Sequence, residues 1–191
     1  MNILVFIKRV PDTESRIRPD AGGRSVVEEG LNFVISPNDE YAVEEALRLR
    51  EAKGGTVTVI SAGPDEATTT LKKCLAMGAD EAVLIKDPLK ETYDGLRIAR
   101  IIAKAVETRF PGFDLLLFGK ASVGADNALV PSMAAEMLGL SRRPRSRPAR
   151  AGSRPRSSFL VTRSSFLMQS KNHERTVRQG PLMPTGFARS L

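Results

Sequence analysis

LLLFGKASVGADN, residues 115–127, joins an unbroken apolar run to a loop of small residues, and a helical pattern follows the loop. Such a short, almost wholly apolar run is typical of a strand that is covered on both faces, as strands in parallel sheets are. Residues 3–7, 56–60 and 82–85 form runs of the same kind. The chain therefore carries four predicted strands of one type.

Helical patterns lie between and after these strands, near residues 39–52, 65–77, 95–109 and 127–138. The third is the clearest, because its isoleucines at 98, 101 and 102 repeat at the spacing of one helix face. Strands that alternate with helices through short connections predict an α/β fold with a doubly wound, mostly parallel sheet. Residues 12–35 are long for a simple connection, and we expect residues 25–27 and 32–34 to pair there as a hairpin.

Ligands of doubly wound sheets bind at the carboxyl ends of the strands, which selects the loops 8–11, 36–39, 61–64 and 119–127. In the last loop, small residues allow backbone N–H groups to approach a phosphate, and the following helix adds partial positive charge. Its lysine, Lys120, comes before Gly124 and not after it, so the loop matches neither GxxxxGK[ST] nor GxGxxG. A plain strand-to-helix turn with Asp126 as the helix cap is the alternative.

The other loops also have two interpretations each. Asn38 or Asp39 is predicted to cap the first turn of a helix, but the carboxylate of Asp39 is equally able to accept hydrogen bonds from a ribose or an adenine edge. Ala62 leaves room for a flat ring at the end of its strand. Lys8 and Arg9 either face an anion or are solvated.

The residue inventory excludes several kinds of function. The chain has 191 residues with one cysteine and one histidine, which rules out a disulfide framework, a multi-cysteine metal centre and histidine-rich sites. Cys74 lacks a histidine in its domain to activate it, so a packed thiol is expected. We predict no metal site and no catalytic residues. No apolar run approaches the ~20 residues of a membrane span, and no signal-peptide pattern is present, so we expect an intracellular protein without membrane insertion.

Charge is distributed unevenly along the chain. Residues 1–140 contain 17 basic and 21 acidic side chains, whereas residues 141–191 contain 12 basic side chains and 1 acidic one. Residues 141–156, SRRPRSRPARAGSRPR, have no hydrophobic period, so we expect a disordered basic tail. No aromatic residues interleave with these arginines, which predicts no specific binding of nucleic acid and at most salt-sensitive, nonspecific contact.

Four blocks of sequence together resemble the beta subunits of electron transfer flavoproteins. They are FIKRVP at residues 6–11, PNDEYAVEEALRL at 37–49, AMGAD at 76–80, and FGK with GAD within 118–126. Their order and spacing agree over residues 1–140. The resemblance identifies this part as a nucleotide-binding domain with the Rossmann-like layout of adenine-nucleotide binders, and residues 141–191 as a separate tail.

The resemblance implies an electron carrier subunit rather than an enzyme. Such subunits form a heterodimer with an alpha subunit that holds FAD. They accept electrons from flavin dehydrogenases, such as acyl-CoA dehydrogenases, and pass them to a quinone oxidoreductase. The beta subunit binds AMP structurally, or a second FAD in electron-bifurcating relatives. The implied location is the cytoplasm in bacteria and the mitochondrial matrix in eukaryotes.

Carried over by position, the resemblance also predicts the cofactor-binding residues. They lie in the first strand, the 36–39 turn, the end of the 56–60 strand and the 122–131 loop: Phe6, Ser36, Pro37, Asn38, Asp39, Ala62, Gly63, Ser122, Val123, Gly124, Ala125, Asp126, Asn127, Ala128, Leu129, Val130 and Pro131.

The sequence departs from the family pattern in two places. Residues 124–131, GADNALVP, replace acidic residues followed by Asn-Gln-Thr-Gly, which leaves open whether the pocket takes AMP or FAD. From residue 141 we find no counterpart to the family's later strand or its partner-docking segment. We therefore predict that the domain is incomplete at its C-terminal end and that residues 141–191 are translated out of frame. A divergent tail is the alternative, and sequencing the DNA across codons 135–150 distinguishes the two. A stand-alone adenine-nucleotide module of the universal-stress type is the second functional interpretation.

Overall fold

The computed structural model describes residues 1–23, 25–87 and 94–142, together with the strand segments 161–162, 165–169 and 187–189. Strands and helices alternate through the first 140 residues, as the sequence predicts. The bounds of the elements are β1 Asn2–Ile7, β2 Arg9–Pro11, β3 Phe33–Ile35, α1 Pro37–Lys53, β4 Thr56–Gly63, α2 Thr68–Met77, β5 Glu81–Lys86, α3 Gly95–Arg109, β6 Leu115–Gly119, α4 Val130–Met137, β7 Ser141–Arg142, β8 Val161–Thr162, β9 Ser165–Gln169 and β10 Phe187–Arg189.

Four parallel strands form the centre of the main sheet, in the order β5, β4, β1, β6. The chain fills the sheet in one direction from β1 through β4 to β5, and it then returns to the other side of β1 with β6. The order of strands therefore reverses between β1 and β6. Such a reversal is a topological switch point, where doubly wound sheets leave a crevice for a ligand at the carboxyl ends of the strands.

Helices cover both faces of this sheet, and successive residues of each strand divide between two cores. Val5 of β1 packs with Val43 of α1 and Leu71 of α2 on one face. Its neighbour Leu4 packs on the opposite face with Ile102 of α3. This burial on both sides explains why the strands read as apolar runs rather than as alternating patterns.

The structure confirms the α/β class and the four predicted parallel strands. The third predicted helix has the predicted bounds, and the second appears as a single 3₁₀ turn followed by α2. Two helices begin elsewhere. α1 begins at Pro37, because proline is preorganised for a first helical position. α4 begins at Val130 rather than at 127, because Ala128 has a φ of 52° and lies outside the helical region.

The predicted hairpin between residues 25–27 and 32–34 is wrong. β3 pairs with β2 instead, in a separate two-stranded antiparallel sheet. This pairing buries Val10 and Ile35 and places the Arg9 guanidinium 3.3 Å from the centre of the Phe33 ring. The cation–π contact and the buried apolar pair favour β2 as the partner of β3.

The described segments after residue 140 add strands that the sequence did not predict. β9 pairs with β6, β7 and β8 pair with β9, and β10 pairs with β5, all in antiparallel orientation. Residues 143–156 of the Arg/Pro/Ser tract lie outside the described residues, so the disorder expected there stays a prediction. The out-of-frame origin of the tail stays a prediction as well.

Candidate functional site

A cavity opens at the switch point between β1 and β6, on the face of the sheet that α3 covers. Its walls come from the carboxyl ends of three strands, the starts of three helices and the loop before α4. The lining residues are Phe6, Ile7, Lys8, Asp39, Ala62, Gly95, Ile98, Ile102, Phe118, Gly119, Lys120, Ala121, Ser122, Ala125, Asn127, Ala128, Val130 and Pro131.

Two aromatic rings form the floor of this cavity. Phe6 of β1 and Phe118 of β6 are cross-strand partners, and their rings stack with centroids 5.3 Å apart and an interplanar angle of 12°. Ala62 of β4 lies beside them and adds only a methyl group to the wall. Both rings are almost completely buried, so the inner end of the cavity is apolar.

The carboxylate of Asp39, in the first turn of α1, is buried against the ends of the two central strands. One of its oxygens accepts the N–H of Lys8 at 2.8 Å, and the other accepts the N–H of Gly119 at 2.9 Å. Burial raises the pKa of Asp39 to about 7, although these two hydrogen bonds and the charge of Lys8 favour the ionised form. Asp39 thus titrates near neutral pH.

Basic side chains supply the positive charge of the cavity. The ammonium of Lys8 donates a hydrogen bond to the hydroxyl of Ser122 at 3.3 Å. Burial lowers the pKa of Lys8, and the carboxylate of Asp39 opposes this effect. Lys120 is exposed at the rim. An anionic group placed between these two lysines would be close to both positive charges.

The loop from Ser122 to Leu129 has an unusual backbone. Gly124, Asp126 and Ala128 have φ values of 89°, 39° and 52°, and the residues between them have negative φ. A left-handed conformation is unfavourable for aspartate and alanine, so the surrounding structure must hold it in place. Residues of positive and negative φ also alternate in anion-binding nests. The loop is closed by a 2.9 Å hydrogen bond from the N–H of Asp126 to the carbonyl of Ser122.

The structure brings about half of the predicted site residues into the wall of the cavity. These are Phe6, Asp39, Ala62, Ser122, Ala125, Asn127, Ala128, Val130 and Pro131. The others lie behind the wall or on the outer side of the loop: Ser36, Pro37, Asn38, Gly63, Val123, Gly124, Asp126 and Leu129.

The predicted helix caps are wrong. Ser36 is the N-cap of α1, and its hydroxyl makes no capping hydrogen bond. The amide of Asn38 donates to the carbonyl of Ala121 at 2.6 Å, so this side chain ties α1 to the loop after β6. Asp126 does not cap α4, whose N-cap is Leu129. The side chains of Asn38 and Asp39 thus contact residues of other elements instead of capping α1.

Sequence reasoning missed the contribution of α3 to the site. Gly95, Ile98 and Ile102 line the cavity, whereas the strand-end rule selects only loops that follow strands. The amphipathic pattern of α3 predicted that Ile98 and Ile102 lie on its apolar face, and this pattern was the only sequence signal for their place in the cavity wall.

Other side chains that carry reactive chemistry play no part in the cavity. Cys74 is fully buried, as expected for a packed thiol, and burial raises its pKa to about 12. Among the described residues, no group of His, Cys, Asp and Glu side chains has the arrangement of a metal site. None of the described helices is long and apolar enough to cross a membrane.

Comparison with known proteins gives a consistent result. Residues 24–141 match the family model described as "Electron transfer flavoprotein domain". A Thermoanaerobacterium thermosaccharolyticum protein named "Electron transfer flavoprotein subunit beta" is 44% identical over 138 residues, which cover 72% of this chain and 52% of the relative. Proteins of the same name from Bacillus subtilis and Mycobacterium leprae are 38% identical over 140 residues and 39% identical over 144 residues, covering 72% and 73% of this chain. These alignments cover 52% and 54% of the two relatives, so the chain spans about half the length of the curated relatives it matches.

Proposed function

This chain belongs to the electron transfer flavoprotein family, and we propose from that membership that it is a beta-type subunit whose cavity binds AMP. The cavity at the β1–β6 switch point is the observation that carries the proposal. It lies where the fold leaves room for a ligand, and it combines an apolar inner end with a basic rim and a nest-like loop.

The residues of the cavity suit each part of an adenine nucleotide. The stacked rings of Phe6 and Phe118 provide an apolar surface for the adenine, and Ala62 leaves the space beside them open. Lys8 and Lys120 provide charge for the phosphate, and the loop from Ser122 to Leu129 adds backbone N–H donors other than those of Asp126 and Leu129, which bond within the loop. The donor set contains more positive than negative side chains, as a phosphate requires.

In the complete complex, we assign to this chain a binding and docking role. It pairs with an alpha subunit, and FAD held there supplies the redox chemistry of the complex. The donors are flavin dehydrogenases, such as acyl-CoA dehydrogenases, and the acceptor is a quinone oxidoreductase. Catalytic groups of its own are not required for this role, and the chain carries electrons only as part of the heterodimer.

The residues of this chain act by binding, orienting and excluding water. The two phenylalanines and Ile102 keep water away from the inner end of the cavity. The hydrogen bond between Lys8 and Ser122 orients the loop over the cavity mouth. A nucleotide bound there would join β1, β6 and α3 in one rigid unit, which stabilises the folded state by mass action.

The test is a calorimetric titration of the purified chain with AMP, and with FAD and ATP in parallel. Ala62→Leu adds a bulky side chain beside the floor, and Ala52→Leu makes the same change at an exposed position of α1. We expect AMP binding that weakens at least about tenfold in the first variant and is unchanged in the second, since one blocked contact of ~1.4 kcal/mol changes affinity tenfold. Equal AMP affinities of the wild type and Ala62→Leu would contradict the assignment of the cavity. Preferential binding of FAD would indicate the electron-bifurcating type of subunit, and preferential binding of ATP a stand-alone module.

A further inference from the structure

The carboxylate of Asp39 occupies the point at which the β1–β6 ladder ends. The last cross-strand pair of the ladder is Phe6 with Phe118. Beyond this pair, the N–H groups of Lys8 and Gly119 donate to the two oxygens of Asp39 rather than to the neighbouring strand. A helix side chain has therefore replaced hydrogen bonds that adjacent strands normally make with each other.

Close packing fixes this arrangement in place. A Cβ at Gly119 would lie only 2.7 Å from the carbonyl carbon of Asn38 and 2.7 Å from the amide nitrogen of Asp39. The amide of Asn38 also holds the carbonyl of Ala121, two residues after the end of β6. The first turn of α1 is thus tied to the end of β1, to the end of β6 and to the loop of the cavity.

We propose that Asp39 is a positioning residue for the nucleotide pocket, because it holds the ends of β1 and β6 apart through the N–H groups of Lys8 and Gly119. This spacing opens the cleft above the rings of Phe6 and Phe118, and it directs Lys8 towards Ser122. Asp39 acts on the ligand through these groups rather than by contact. The role rests on the proposed function of the cavity.

The charge state of Asp39 changes the strength of these two hydrogen bonds. The ionised carboxylate accepts an N–H on each oxygen, whereas protonation turns one oxygen into a hydroxyl, which is a weaker acceptor and carries a hydrogen of its own. The pKa of Asp39 is about 7, so its carboxyl changes from mostly ionised to mostly protonated between pH 8 and pH 6.

The ionisable groups around Asp39 come from each element packed against it. They are Lys8 on β1, Glu40 on α1, Cys74 on α2 and Lys120 after β6. The pKa of Cys74 is about 12, so this thiol stays neutral between pH 6 and 8. A transition near pH 7 that is lost in Asp39→Asn therefore belongs to Asp39.

Adenosine is the sharpest probe of this role, because it has no phosphate whose own titration would obscure that of the protein. If only the ionised form of Asp39 keeps the cleft open, affinity follows the ionised fraction, which falls roughly tenfold from pH 8 to pH 6. Calorimetry on the full chain should therefore show a dissociation constant for adenosine that is roughly tenfold larger at pH 6 than at pH 8. Asp39→Asn should bind adenosine at least about tenfold more weakly at pH 8, with no further change at pH 6. Glu40→Gln removes an exposed charge from the same helical turn and should keep the wild-type profile.

A second measurement needs neither a ligand nor a variant. In the wild-type chain without nucleotide, the backbone amide resonances of Lys8 and Gly119 should shift together, with one midpoint near pH 7. This titration decides the matter if Asp39→Asn does not fold.

The outcomes separate the two proposals. If the wild type binds neither AMP nor adenosine, the proposed function is refuted, and the positioning role is refuted with it. Binding of AMP and adenosine that is independent of pH between 6 and 8, or amides that do not titrate together, would refute the positioning role alone. An adenosine profile of Asp39→Asn equal to that of the wild type would also refute it.

Discussion

Replacing Gly119 with alanine should destabilise the fold strongly, because β6 ends against the first turn of α1. The added Cβ would lie 2.7 Å from the carbonyl carbon of Asn38 and 2.7 Å from the amide nitrogen of Asp39, and it would overlap an oxygen of the Asp39 carboxylate. Two of these atoms belong to the backbone, so no side-chain rotation relieves the overlap. Strand and helix must move apart.

Two costs combine in this variant. Overpacking of a well-packed interior typically costs about 1–3 kcal/mol. The movement also breaks or lengthens the 2.9 Å hydrogen bond from the N–H of Gly119 to Asp39, and a buried hydrogen bond to a charged group contributes about 1.5–3 kcal/mol. Because one movement causes both losses, they are not additive. We expect the free energy of unfolding to fall by about 3 kcal/mol, a large part of the roughly 5–15 kcal/mol of a typical domain.

Urea denaturation of the wild type and of Gly119→Ala, followed by circular dichroism, measures this loss. Gly112→Ala is the matched control, because a Cβ there would meet no atom within 4 Å, and we expect it to change the stability by less than about 0.5 kcal/mol. If Gly119→Ala loses no more than about 1 kcal/mol, or no more than its control, the close contact between β6 and α1 is not as described.

Three further predictions concern backbone strain and charge. Ala128→Gly should stabilise the chain by up to about 1 kcal/mol in thermal denaturation, because glycine adopts the φ of 52° without the left-handed penalty of alanine; a destabilised variant would show that the loop is not strained. Asp80→Asn should lower the unfolding free energy by about 1 kcal/mol at neutral pH, because Asp80 accepts the N–H of Val57 at 2.7 Å and a guanidinium N–H of Arg50 at 3.0 Å. These contacts lower the pKa of Asp80, so its contribution should persist above the unfolded pKa and be lost as the pH falls through the folded one; equal acid sensitivity of the variant and the wild type would contradict this. Burial raises the pKa of Asp39 to about 7, so near pH 6 the folded state holds a proton there that the unfolded state has released. The free energy of unfolding of the wild type should therefore rise by about 1 kcal/mol from pH 8 to pH 6. A rise of the same size in Asp39→Asn would show that another group causes the rise.

Stability and positioning make opposite demands on Asp39. Burial penalises the charged carboxylate, which raises the pKa of Asp39 to about 7 and makes the ionised form costly for the folded state. The ionised carboxylate is the form that holds both strand ends. Residues that serve a site at a cost in stability are common in proteins, and Asp39 combines both effects in one side chain.

Local patterns predicted the sheet and helices well, because burial on both faces makes each central strand a continuous apolar run, and α3 carries apolar residues at the spacing of one helix face. The isoleucines of α3 located that helix from Gly95 to Arg109 without error. The strand-end rule selected four loops from the sequence, and each of them contributes at least one residue to the wall of the cavity.

The contacts that shape the cavity were not predictable, because they join residues far apart in the chain. Capping preferences suggested that Asn38 and Asp39 cap α1, but their side chains reach residues 83 and 80 positions later in the chain. No propensity favours the positive φ of Ala128, so tertiary structure must impose it. The β2–β3 pairing depends on the stacking of Arg9 on Phe33, which likewise joins separate segments.

Identification of the nucleotide that the purified chain retains is the most direct test of the proposed nucleotide site. The purified chain is incubated with a mixture of AMP, ATP and FAD, freed of unbound ligand and denatured, and the released compound is identified by chromatography. The cavity of Phe6, Phe118 and the 122–131 loop predicts AMP, one molecule per chain. Release of ATP, of FAD in place of AMP, or of no nucleotide would contradict the assignment of a structural AMP site.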